Sequence, residues 1–178
     1  MDIADLSLRS VDFFPDISSA PLGALMLLSL EKQTIGMRAL FMPIVGSPAP
    51  GFVVLTGDKV GLFMPEAELD YRVAIDASES FVITLQSPSP ATVTANEVST
   101  GDLCLGRIRS RPRLAISCTV GSSPMGYLML EGDRKGYIFP DPTIYGKLGR
   151  AGVARLDQRL PCQLCCPHGL PAPGHDSP

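Results

Sequence analysis

The chain has 178 residues, 45% of them hydrophobic and 19% charged, with a formal net charge of −3. That is enough apolar content to bury a core, and the chain lies outside the composition of disordered proteins. The longest apolar run, 20–30, is about half of the roughly 20 residues a membrane-spanning helix requires, and Met1-Asp2-Ile3-Ala4-Asp5 lacks the basic start of a signal peptide, so the expectation is a cytoplasmic protein without a membrane span.

In chain order, runs of aliphatic residues bounded by Gly, Pro and Ser predict strands over 24–30, 36–44, 72–75, 80–85, 102–108 and 113–120. Two further stretches read as strand, polar turn, strand: Phe52-Val53-Val54-Leu55, Gly57-Asp58, Val60 to Met64, and later Tyr127 to Leu130, Gly132-Asp133, Gly136 to Phe139. Gly-Asp supplies the positive φ and the side-chain acceptor that a tight turn needs. Pro65 and Pro140 close the second strand of each hairpin. Helix is confined to two short candidates, 65–71 and 143–148, neither long enough to stand alone. The fold class read from the sequence is therefore all-β.

Residues 38–66 recur without a gap as residues 113–141, with ten identities over 29 positions, where composition alone gives roughly two. Besides the hairpins, the offset of 75 matches Arg38 with Arg113, Val45 with Val120, Gly46 with Gly121 and Ser47 with Ser122. The expectation is a tandem duplication: a first β-unit over 12–77 and a second over 80–147, arranged as half-barrels or as paired small barrels. The QSPSP stretch at 86–90 has the composition of a linker between them, and the Pro- and Gly-rich segment 160–178 reads as a disordered tail. Residues 1–89 carry five Lys/Arg against eleven Asp/Glu and residues 90–178 ten against seven. The halves are thus electrostatically complementary, as expected of units that pair.

Candidate chemistry is sparse. Arg107, Arg109, Arg111 and Arg113 alternate with other residues, so a continuous extended backbone would project all four guanidinium groups from one face. Such a stripe suits an acidic partner, a nucleic-acid backbone or an anionic small molecule such as a nucleotide phosphate; the competing reading is a charged, Pro-blunted edge strand. Cys162, Cys165, Cys166 and His168, with His175 beyond, have zinc-like spacing, but one CxxC without a second knuckle is a weak metal signal. Both histidines lie in this tail, so the repeated region has none, which disfavours a Ser-His or Cys-His hydrolase there. Asp58 and Asp133 invite comparison with the Gly-Asp turns of cradle-loop barrels, where such residues are structural. No catalytic residues and no cofactor are assigned.

The second unit, with Val98, Gly101-Asp102, Leu103, Leu105, Gly126, Leu128 and Ile138 in order, resembles the surface-presentation-of-antigens domain of flagellar switch and type III secretion cytoplasmic-ring proteins. Leu22-Gly23-Ala24-Leu25 stands at the corresponding place in the first unit, with Ala24 where the family has Asp. The resemblance implies a non-enzymatic protein–protein assembly module whose copies pair by intertwining strands and self-associate. It also implies a place peripheral to a membrane-embedded secretion apparatus. Nucleic acid is not expected as a partner. The alternative is a ligand-binding β-barrel that uses the arginine strand.

Overall fold

The computed structural model describes residues 19–29, 33–69, 74–77, 81–108, 111–120, 123–140 and 143–155. They form one sheet system of eleven strands: β1 (Leu25–Ser29), β2 (Gln33–Phe41), β3 (Ala49–Val54), β4 (Leu62–Pro65), β5 (Ala74–Asp76), β6 (Phe81–Ala91), β7 (Asp102–Ile108), β8 (Arg111–Val120), β9 (Ser123–Met129), β10 (Tyr137–Phe139) and β11 (Thr143–Arg155). Among the described residues, helix is confined to short 3-10 turns, including Gly57–Lys59 and Gly132–Arg134 inside the two predicted hairpins. The protein is all-β. No helix among the described residues is long and apolar enough to cross a membrane.

The strands pair in a reciprocal pattern. In β1 to β5, β1 pairs with β2 and β5, β2 with β3, and β3 with β4, all antiparallel. In β7 to β11, β7 pairs with β8 and β11, β8 with β9, and β9 with β10, again antiparallel. Two short parallel junctions join these sets. Leu62 and Phe63 of β4 lie beside Thr119 and Val120 of β8, and Tyr137 and Ile138 of β10 lie beside Leu40 and Phe41 of β2. The order β4-β3-β2-β10-β9-β8 returns to β4, closing a ring in which each set contributes three strands.

Alternation along these strands sorts the apolar residues onto two faces. Ile35, Met37 and Ala39 of β2, Val53, Phe63, Ile116 and Cys118 of β8, Leu128 and Ile138 fill one continuous core. Phe81 of β6 and Ala151 and Val153 of β11 extend it. Each fully buried aliphatic or aromatic side chain there contributes about 1.5–3 kcal/mol relative to exposure. The outward faces carry two smaller clusters. Ala24, Met26, Leu28 and Phe52 form one; Val98, Cys104, Ala115, Tyr127, Met129 and Ile144 form the other.

Several expectations from the sequence need correction. Residues 143–148 are not helical: they open β11, where Thr143, Ile144 and Gly146 pair with β7 and pairing with β6 joins from Lys147, and these sheet contacts override a weak local preference. The QSPSP stretch is not a linker but the second half of β6, where Pro88 and Pro90 are tolerated because the strand lies at the sheet edge. A boundary at Lys147 would fall within β11, which continues to Arg155. Of the helix candidate 65–71, only a 3-10 turn at Glu66–Glu68 is present among the described residues. Finally, the ungapped match fails upstream of Gly51. Phe52 lies opposite Arg38, whereas Tyr127 lies opposite Ser117, not Arg113. The chain takes ten steps from Phe41 to Gly51 and six from Val120 to Gly126, and that difference of four displaces β8 against β2.

Candidate functional site

β7 and β8 form the hairpin that carries the arginines. Arg111 lies opposite Ile108, Arg113 opposite Gly106, and Arg107 opposite Pro112. Residues directly opposite one another in an antiparallel pair share a face, and neighbours along a strand do not. Arg111 and Arg113 therefore share the face of Cys104 and Ala115, and Arg107 is on the other face. The single-sided stripe expected from the sequence is split because the chain reverses between Arg107 and Arg111. Arg109 lies outside the described residues.

The guanidinium groups have different surroundings. Arg113 Nη2 donates to Asp133 Oδ1 at 3.4 Å, and the neighbouring Leu114 N–H donates to Glu131 Oε1 at 3.0 Å. Asp133 Oδ2 is also 4.0 Å from Arg134 Nε. The predicted Gly-Asp turn thus supplies the counter-charge to one arginine, an exposed pair of small energetic worth. Arg134 lies 5.7 Å from the Tyr137 ring centroid, and Tyr137 stacks on Phe139 at 6.2 Å. Arg107 lies 5.2 Å from the Tyr145 ring centroid. Arg107 and Arg111 have no carboxylate partner among the described residues. Asp58, in the other Gly-Asp turn, is exposed.

Two buried polar groupings hold the strands in register. Asp102 Oδ2 accepts from the Ser99 N–H at 2.8 Å and lies 2.8 Å from Lys147 Nζ. The Asp102 N–H donates to Ser117 Oγ at 3.1 Å, and Ser117 Oγ donates to the Ser99 carbonyl. This network fastens the 98–102 turn to β8 and β11. At the position on β2 corresponding to Ser117 stands Arg38, only 4% exposed. Its Nη1 is 2.9 Å from Glu66 Oε2 and 3.4 Å from the Gly51 carbonyl, and its guanidinium lies 5.4 Å from the Phe52 ring centroid. Arg38 Nε has no hydrogen-bond partner among the described residues. Glu66 Oε2 is close enough for an ion pair but is not aligned for a hydrogen bond.

Neither buried cysteine is equipped for nucleophilic chemistry. Burial, reinforced by Asp102, pushes the Cys104 thiol up to about 12, and burial pushes the Cys118 thiol up to about 12. Both thiols are protonated at neutral pH, and only a thiolate is an effective nucleophile. No group of His, Cys, Asp or Glu suited to a metal ion occurs among the described residues. Cys162, Cys165, Cys166, His168 and His175 lie outside them.

Sequence reasoning overlooked Ile44 and Val45, which are 82% and 89% exposed in the β2–β3 connection. Their signal was available: residues 39–57 contain no charge, and Pro43 and Pro48 bracket the pair. The chain matches no protein-family model, no curated protein and no solved structure in the comparisons made.

Proposed function

We propose that the chain is a tandem, duplicated β-module of the surface-presentation-of-antigens type. It would serve as a non-enzymatic assembly element in the cytoplasmic ring of a type III secretion or flagellar-type apparatus. The observation that carries this reading is the reciprocal crossing of the two strand sets. β4 runs parallel beside β8, and β10 runs parallel beside β2. The contacts around each junction correspond as well. Thr119 N–H donates to the Gly61 carbonyl at 3.0 Å, and Leu40 N–H donates to the Gly136 carbonyl at 2.9 Å. Gly101 N–H donates to the Ser117 carbonyl and Gly23 N–H donates to the Arg38 carbonyl, each at 2.8 Å.

Gly23 and Gly101 are the two glycines that the family resemblance aligns, and intertwined strands are how that family pairs. The units would then be 12–77 and 80–147 together with the rest of β11, and they pair within one chain. The ion pairs Arg38–Glu66, Arg113–Asp133 and Lys147–Asp102 each join residues of the same half. Among the described residues, pairing therefore draws on the shared apolar core, and the ion pairs named lie within each half.

The arginine-centred anion site is the weaker reading, because Arg107 faces away from Arg111 and Arg113 and Asp133 already engages Arg113. Affinity capture of the tagged full-length chain from its native cells, at low and high salt, tests the assembly reading. The expected result is retention of secretion- or motility-apparatus proteins at both salts. Recovery of the chain without any such protein would overturn it.

A further inference from the structure

β6 ends the sheet. It pairs with β11 along one side, and no described strand occupies the other. A free edge presents unpaired backbone N–H and C=O groups to any extended segment that fits, and proteins commonly blunt such edges with charge or proline. Here only half is blunted. Pro88 and Pro90 interrupt the C-terminal part, whereas Phe81-Val82-Ile83-Thr84-Leu85-Gln86 contains neither proline nor charge. Phe81, Ile83 and Leu85 turn inward onto the main core. Val82 turns outward and is 38% exposed.

We propose that the free edge of β6 over Phe81–Gln86 is a self-association surface, pairing antiparallel with the same segment of a second copy. An edge without charge meets its own copy with no like-charge repulsion and has nothing to attract a charged peptide. The alternation is also self-complementary. In a twofold pairing centred on Ile83, Phe81 faces Leu85 and Ile83 faces Ile83 on the core side, while Val82 faces Thr84 on the outer side. Pro88 and Pro90 confine the contact to about six residues, roughly 20 Å of strand, so the dimer is weak and concentration-dependent. The proposal rests on the assembly reading for its purpose and on this edge for its geometry.

Light scattering of the full-length chain over a concentration series, with hydrogen exchange at each end of the series, tests the surface. The expected mass climbs toward that of a dimer independently of salt, and outward amides within Phe81–Gln86 exchange about tenfold more slowly at the high concentration. Val82→Lys and Val82→Glu each hold the chain monomeric, and an equimolar mixture of the two variants restores the dimer at low salt. A dimer indifferent to Val82→Lys, with unchanged exchange in Phe81–Gln86, overturns the surface and leaves the assembly reading standing. A monomer throughout also overturns the surface, and capture of apparatus proteins then decides the assembly reading separately. If Val82→Lys does not fold, exchange in the unaltered chain decides.

Discussion

Gly61 and Gly101 are in backbone contact: a Cβ on Gly61 would stand 2.4 Å from the Gly101 amide nitrogen. The same relationship joins Gly136 to Gly23, again at 2.4 Å. Each contact links a hairpin of one strand set to the turn that opens the other, beside a parallel junction. Gly61 and Gly136 also have φ of +90° and +83°.

Gly61→Ala and Gly136→Ala should therefore each cost about 2–4 kcal/mol, combining backbone strain with a clash that no side chain can relieve. Gly57→Ala is the control. Its φ is +73°, but nothing lies within 4 Å of the added methyl, so the expected cost is about 1 kcal/mol. Urea denaturation of the three variants measures the difference. Equal costs at Gly57 and Gly61 would mean that the contact between the strand sets is not tight.

The Arg38–Glu66 pair should behave asymmetrically. Glu66→Gln leaves the buried guanidinium without its counter-charge and is expected to cost about 3 kcal/mol. Arg38→Met replaces the charge with an apolar chain beside Phe52, leaves only the more accessible Glu66 unpaired, and should cost less. A double-mutant cycle by chemical denaturation checks this. An Arg38→Met cost equal to or above that of Glu66→Gln would refute the ordering.

How far the fold could be read from sequence depended on where the determining contacts lie. Both hairpins were legible because Gly57-Asp58 and Gly132-Asp133 sit between apolar runs, so the signal is local. β11 and the second half of β6 were not. Thr143-Ile144-Tyr145-Gly146-Lys147 is extended because it lies along β7, and Gln86 to Pro90 because it lies along the middle of β11, which accommodates register shifts near Gly146 and Gly149 that erase strict alternation. The arginines were misread through one reversal of the chain, which sends Arg107 to the opposite face. Arg38 was matched to Arg113 by identity, although pairing places Ser117 there. The exposed Ile44 and Val45 are marked by the uncharged stretch and the flanking prolines, yet an apolar pair reads first as core.

Cys104 and Cys118 provide a pH-dependent prediction. Each thiol ionises near 9.0 when unperturbed and is pushed up to about 12 in the folded chain. The folded state therefore holds these protons more tightly. The associated stability is fully present below pH about 9 and is lost as the pH rises toward about 12. Thermal melts across that range should fall less steeply for Cys104→Ala/Cys118→Ala than for the unaltered chain. Peptide mapping after iodoacetamide treatment at pH 8 should find both cysteines unmodified in the folded protein. Parallel melting curves would argue against buried, protonated thiols.

Arg111→Glu separates the two functional readings. Arg111 is exposed and has no carboxylate partner among the described residues, so reversing its charge should change stability by no more than about 0.5 kcal/mol. If the chain works by assembly, capture of apparatus proteins by the variant should match that of the unaltered chain at both salts. If the hairpin binds anions, calorimetric titration with inorganic pyrophosphate should show saturable binding that weakens steeply as salt rises and disappears in the variant. The split of Arg107 from Arg111 and the engagement of Arg113 by Asp133 lead to the first outcome. Saturable pyrophosphate binding abolished by Arg111→Glu would overturn that outcome and make the hairpin the functional site.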